Sequence, residues 1–295
     1  MRIGRPARGD SAPANWYPQY YQNPLLCTPA QPLSIMEPGL RGMFLGQRFL
    51  GKVAVVIGGN SGIGLASARA FANEGARVVI TGRDSETLRT AAREVGQSAQ
   101  AHRSDISDLS QIEALFAQIH ADQGRIDVLF VNAGVGAFLP IEAVTEADWD
   151  HIQNINLKGV FFTVQKALPL LSRGSSIVLT GSIGALKGIP TGSVYSASKA
   201  GLRALGRSFA AELVGRGIRV NVVSPGPVET PIIHRTGGLP PEAVPALREQ
   251  MIANTPMKRM GAPEEVAEAV LFLASDAAAF VTGVDFLVDG GAASF

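Results

Sequence analysis

Tyr195 and Lys199 stand four positions apart in Tyr195-Ser196-Ala197-Ser198-Lys199. On a helix that spacing puts a phenol and an ammonium on one face. A free tyrosine ionises near ~10 and exchanges protons poorly at neutral pH. A neighbouring cation stabilises the phenolate and moves the phenol toward the range where general acid–base catalysis operates. Such a group can protonate a carbonyl oxygen or deprotonate an alcohol. Tyr17, Tyr20 and Tyr21 lie near the start of the chain, so Tyr195 is the only tyrosine in the remainder. Tyr-x-x-x-Lys pairs are common on helix surfaces, and this one gains meaning only from its neighbours.

A second stretch suited to chemistry is Gly58-Gly59-Asn60-Ser61-Gly62-Ile63-Gly64, directly after the apolar run Val53-Ala-Val-Val-Ile57. Glycines there let the backbone turn tightly and approach a pyrophosphate, while a following helix offers unpaired N–H groups and the positive end of its dipole. The next apolar run ends Thr81-Gly82-Arg83-Asp84, where an adenosine ribose would lie. A carboxylate at that point favours NAD, and a guanidinium suits the 2′-phosphate of NADP. Gly82 leaves the usual acid position empty and Arg83 follows, so NADP is favoured. Asp84 keeps NAD open, although it or Ser85 is a natural N-cap for a helix beginning near Glu86.

The elements that position these residues are legible as alternation. Short apolar, β-branched runs recur at Val53–Ile57, Arg77–Thr81, Ile126–Val131, Ser176–Thr180, Ile218–Val223 and Val284–Val288, with a weaker one at Ala99–His102. Two-faced helical stretches such as Asp108–Gln123 and Asp148–Leu171 separate them. This predicts an α/β fold: a single-domain, Rossmann-type, doubly wound parallel sheet of about seven strands with helices on both faces.

Composition agrees. The 295 residues are 46% hydrophobic and 17% charged with 33 glycines, enough for one sizeable α/β core. A net charge of +1 gives no electrostatic case for nucleic acid or an anionic membrane. No apolar run approaches the ~20 residues that span a bilayer. The one cysteine, Cys27, excludes an intrachain disulfide and fits a reducing cytoplasm. His102, His120, His151 and His234 are scattered, so no metal site is expected.

Residues 1–50 differ from the rest. They hold seven of the 18 prolines and show neither helical nor strand periodicity, which predicts a poorly ordered Pro-rich extension ahead of a catalytic domain at 51–295. Arg2, Arg5 and Arg8 hint at a transit peptide, but Pro6, Pro13 and Pro18 oppose an amphipathic helix. An arm docking on a partner subunit and a true start at Met43 both stay open.

With these pieces assembled, residues 50–295 resemble the short-chain dehydrogenase/reductase family, in its compact branch of roughly 250 residues. Gly58, Gly62 and Gly64 match its glycine turn, with Ile57 where threonine is usual. Asn132-Ala133-Gly134 matches the Asn-Asn-Ala-Gly motif, with Val131 replacing its first asparagine. Asn156, Ser182, Tyr195 and Lys199 match the catalytic tetrad, Pro225-Gly226 with Val228 and Thr230 the loop that holds the nicotinamide carboxamide, and Asp289-Gly290-Gly291 the C-terminal signature.

The resemblance implies that Asp105 and Ile106 meet the adenine ring, that Tyr195 and Lys199 also touch the cofactor, and that Asn156 positions a water linking Lys199 to solvent. It implies NADP(H), or NAD(H), as hydride carrier for a small carbonyl or alcohol substrate. It also implies a homotetramer, to which the sequence adds the stripe Leu202, Leu205, Phe209 and Leu213. Residues 231–261, with hinge-like Thr236–Pro241 and apolar Ile232, Ile233, Leu239, Met251 and Ile252, are expected to form a substrate lid. Two alternatives accompany this reading: 3-oxoacyl carrier-protein reductase activity, and an NADP-sensing regulator without turnover.

Overall fold

The structure, a computed structural model, describes residues 47–234 and 241–295. The predicted extension, apart from its last few residues, and most of the hinge-like run lie outside the described residues. Seven strands form one parallel sheet: β1 (Val53–Ile57), β2 (Arg77–Gly82), β3 (Ala99–Arg103), β4 (Ile126–Val131), β5 (Leu171–Thr180), β6 (Arg219–Pro225) and β7 (Asp285–Val288). Their order is β3-β2-β1-β4-β5-β6-β7. All seven predicted strands are present, with β5 running five residues further toward its N-terminal end than predicted.

Alternation along each strand builds two cores. Val53, Val55 and Ile57 of β1 pack with α3 (Leu109–Gln123), α5 (Val160–Ala167) and α6 (Ser193–Leu213), whereas Ala54 and Val56 face α1 (Gly62–Asn73), α2 (Ser85–Val95) and α8 (Pro263–Ala274). A strand buried on both sides has no polar face to show, which is why these runs read as continuously apolar. Each fully buried Val or Ile contributes about 1.5–3 kcal/mol relative to exposure.

Helix starts follow the local chemistry. Asp84 caps α2 by accepting from Thr87 N at 2.8 Å, the structural role expected for it. Asp108 caps α3 through Ser110 and Gln111. Thr145 and Asp148 form a reciprocal capping box on α4 (Glu146–Gln153).

One prediction needs correction. The helical stretch Asp148–Leu171 is not continuous: α4 passes into a π-helical turn at Asn154–Gly159, resumes as α5, closes in a 3-10 turn at Leu168–Leu170, and Leu171 already belongs to β5. Gly159 explains part of this, because a Cβ there would lie 2.3 Å from the Ile106 carbonyl oxygen. The helix therefore passes the β3 loop at a distance only glycine permits. A widened turn of this kind commonly marks a functional position, and Asn156 sits in its middle.

Candidate active site

The C-terminal ends of β1 to β6 all point to one rim, and β1 and β4 lie side by side where the chain reverses its order across the sheet. Ligands of open parallel sheets bind at that reversal. Among the described residues, every residue singled out from the sequence as a site candidate falls on this rim or on the helices rising from it.

The glycine turn is shaped by close approach. Gly58 has φ +79°, and a Cβ on it would meet Ala133 backbone at 2.8 Å. A Cβ on Gly64 would meet the Gly58 carbonyl oxygen at 2.0 Å, and one on Gly62 would press the Thr230 methyl at 3.1 Å. Asn132 Nδ2 donates to Gly58 O at 3.0 Å, and Asn132 Oδ1 accepts from Thr180 Oγ1 at 3.2 Å. Ser61, at the N-cap of α1, makes no side-chain cap, so the first N–H groups of the helix face the turn. Loop, helix start and Thr230 together form a narrow cradle that fits a dinucleotide pyrophosphate.

Ile57 and Val131 lose the polar side chains that resemblance would supply, and both are buried in the core instead. The turn is braced by a residue that sequence reasoning missed: Thr81 Oγ1 accepts from Gly58 N at 3.2 Å. Its position at the end of the second apolar run was the available signal.

At the ribose end, the Arg83 side chain is over half exposed, with Nη1 3.9 Å from Asp105 Oδ2. Arg103 Nε donates to the Arg83 carbonyl at 2.9 Å, adding a second guanidinium. Asp105 is held by Ser107, whose N–H and hydroxyl both donate to Oδ1. A Cβ on Gly82 would strike Asn60, whose Nδ2 instead reaches Thr87 Oγ1. Ile106 is buried in the core beneath this edge.

Catalytic candidates converge from three elements. Ser182 follows β5 and caps a 3-10 turn by accepting from Gly184 N at 3.0 Å. Its hydroxyl faces the Tyr195 phenol closely enough to favour the phenolate. Lys199 lies one turn beyond Tyr195 on α6, its Nζ 6.0 Å from the phenol ring centroid and donating to Thr180 O at 2.9 Å. Asn156 is wholly buried: its amide exchanges two 2.9 Å hydrogen bonds with the Val135 backbone and donates to Ser198 Oγ at 3.1 Å. Ser198 in turn donates to the Tyr195 carbonyl. A Cβ on Gly134 would lie 3.3 Å from both Asn156 Oδ1 and Lys199 Nζ. Ser198, next to Lys199, and Thr180, two residues before Ser182, were not singled out from the sequence.

The sequence predicts that Lys199 lowers the phenol. In the structure burial governs both groups: it pushes Tyr195 up, against the pull of the Ser182 hydroxyl, and pushes Lys199 down to about 8. Lys199 gives one of its three N–H donors to the Thr180 carbonyl.

Around the phenol the wall is apolar. Phe138 lies 5.9 Å from the Tyr195 ring, and Cβ atoms on Gly184 and Gly192 would both contact Ile189. Pro225–Thr230 closes the rim. Gly226 packs on the Asp289 Cα, Val228 pairs with Gly261, and the Asp289 carboxylate accepts from Gly291 and Ala293. Among the described residues no His/Cys/Asp/Glu group could hold a metal ion, and no helix is long and apolar enough to cross a membrane.

Comparison with known proteins follows the same outline. A family model described as enoyl-(acyl carrier protein) reductase matches residues 57–293. The oxidoreductase asL5 of Sarocladium schorii is 42% identical over 253 residues, spanning 84% of this chain and 98% of its own. The 3-oxoacyl-(acyl-carrier-protein) reductase FabG of Thermotoga maritima is 39% identical over 249 residues, spanning 83% and 98%. A crystal structure of levodione reductase matches with a TM-score of 0.80 at 35% identity, covering 84% of this chain and all of that one.

Proposed function

The chain belongs to the short-chain dehydrogenase/reductase family and is an NAD(P)-dependent oxidoreductase of carbonyl and alcohol groups; on that premise we propose a ketoreductase in which Tyr195 is the proton donor and acceptor. A bound nicotinamide dinucleotide supplies the hydride in reduction and takes it in oxidation. Ser182 donates a hydrogen bond to the substrate oxygen, and Tyr195 delivers a proton to that oxygen or removes it. Lys199 holds the nicotinamide ribose and replaces the phenol's proton, while Asn156 fixes the helix turn behind it. The convergence of Ser182, Tyr195 and Lys199, with Lys199 one turn beyond Tyr195 and its Nζ 6.0 Å from the phenol ring, is the observation that carries this reading.

Arg83 favours NADP. Asp84 is engaged at the α2 N-cap, so the end of β2 presents guanidinium groups from Arg83 and Arg103 to a 2′-phosphate. The apolar wall of Phe138 and Ile189 favours a hydrophobic ketone over a sugar. Residues 231–261 serve as a lid: Arg248 on α7 (Val244–Asn254) forms an ion pair with Glu229, tying that helix to the nicotinamide loop. A cytoplasmic homotetramer completes the proposal.

A carrier-bound 3-oxoacyl substrate is the second reading, favoured by the match to the Thermotoga maritima reductase. It calls for a basic docking patch, yet Arg203 is paired with Asp285 and Lys258 Nζ with the Ala253 carbonyl. An NADP sensor without turnover has no use for the buried Asn156–Ser198–Lys199 framework.

The test is oxidation of NADPH and, separately, NADH with aldehydes, ketones, levodione and an oxoacyl thioester. Tyr195→Phe is expected to lower kcat by about 10²–10⁴-fold with cofactor binding intact. Arg83→Ser is expected to raise KM for NADPH by about tenfold to a hundredfold while sparing NADH. Substantial activity in Tyr195→Phe would overturn the mechanism.

A further inference from the structure

One ion pair, its carboxylate buried and its guanidinium side chain 31% exposed, lies outside the site yet touches the element that carries it. Arg203 is one helical turn beyond Lys199 on α6, and its Nε stands 2.6 Å from Asp285 Oδ2 at the start of β7. The Asp285 side chain is only 6% exposed. Its other oxygen accepts from Ser224 Oγ on β6 at 2.5 Å. Ser224 in turn abuts the backbone of Gly181, where a Cβ would lie 2.3 Å from its hydroxyl oxygen. Gly181 separates Thr180, whose carbonyl receives Lys199, from Ser182, which faces Tyr195.

These contacts close a ring: Lys199 to Thr180, Gly181 to Ser224, Ser224 to Asp285, Asp285 to Arg203, and Arg203 back along α6 to Lys199. The coarse roll of α6 is set by its buried face, Leu202, Phe209 and Leu213 among it, and Gly206 passes Val222 so closely that a Cβ would lie 2.6 Å from the valine methyl. A carboxylate held on two sides trims that roll next to Lys199.

We propose that Arg203, Asp285 and Ser224 form a positioning clamp that fixes the rotation of α6 and thereby the placement of Tyr195 and Lys199 against Ser182. The clamp touches neither substrate nor cofactor. It rests on the catalytic reading given above, and it acts through the helix.

Because burial alone depresses Lys199, a rolled α6 would rehydrate its Nζ and move its ionisation up from about 8 toward its ordinary value. The experiment therefore compares kcat, KM and pH–rate profiles for Arg203→Met, Arg203→Lys, Asp285→Asn and Ser224→Ala, with Tyr195→Phe alongside. Arg203→Met is expected to lower kcat by about tenfold or more with a smaller rise in cofactor KM, as misplacement of catalytic groups does. Its profile should shift to higher pH. Arg203→Lys should recover most of both, and the Arg203→Met/Asp285→Asn pair should fall no further than the worse single variant.

Ser224→Ala keeps both charges and so keeps the readout if the charge variants do not fold; it should show the same upward profile shift with a smaller loss of kcat. Unchanged profiles and kcat within about twofold across the folded variants, beside an inactive Tyr195→Phe, would overturn the clamp alone. An active Tyr195→Phe would instead overturn the catalytic reading on which it rests.

Discussion

Tyr195 and Lys199 are both pushed toward their neutral forms, and that sets the pH behaviour of the reaction. The phenol is raised and the ammonium lowered to about 8, so the first proton leaves the pair near 8 whichever atom carries the resulting deficit. Alcohol oxidation needs a pair that can accept a proton, and carbonyl reduction needs one that can give it. Oxidation kcat should therefore rise with pH through about 8, and reduction kcat should fall over the same window. The folded protein follows the same sign. Below about 8 both folded and unfolded chains hold the lysine proton, and the native state bears the whole burial penalty. From about 8 to the ordinary 10.5 the native chain has lost a proton that the unfolded one keeps, so this group's contribution to stability rises with pH. Profiles of the two directions recorded on one preparation check the assignment. Parallel limbs, both rising or both falling, would remove the pair from the proton-transfer step.

The elements hold these side chains by approach distances that only small residues allow. The glycine turn between β1 and α1 is the sharpest case. A methyl at Gly64 would stand 2.0 Å from the Gly58 carbonyl oxygen and 2.7 Å from Asn132 Nδ2, so Gly64→Ala must open the turn or break the Asn132 bond. Overpacking of this kind costs about 1–3 kcal/mol, and here it also displaces the N–H groups offered to a pyrophosphate. We expect a lower Tm together with a cofactor Kd weakened by at least about tenfold, checked by thermal melting and by cofactor fluorescence titration. Tight binding with a normal melt would mean that the turn is not the pyrophosphate cradle. Glycines at such a turn are legible in a sequence because their spacing is local. The π-helical turn at Asn154–Gly159 is not, because what widens the helix there is distant: Asn156 reaches Val135 across 21 positions, and Gly159 yields to Ile106. Thr81 escaped notice for the same reason, since its partner, Gly58, lies 23 residues back.

At the scale of the whole molecule, the inner strands were legible because burial on two faces leaves a continuous apolar trace, whereas the edge strand β3, Ala99–Arg103, is mostly exposed and left only a weak one. Assembly leaves no such trace. The stripe Leu202, Leu205, Phe209 and Leu213 faces the core, so it says nothing of partners. Among the large apolar side chains that do stay accessible are Trp149 on α4 at 48%, Phe161 on α5 at 38%, and Phe286 on the short edge strand β7 at 37%. These lie on separate elements, and β7 also presents an open strand edge. A closed tetramer with three two-fold axes needs two distinct self-complementary faces, whereas one would stop at a dimer. Light scattering is expected to give four times the 30.9 kDa chain mass. Phe161→Glu should halve that assembly by charging the α4–α5 face while β7 still pairs. A monomeric mass for the unaltered chain would refute the tetramer, and a tetramer undisturbed by Phe161→Glu would move the interface away from α5.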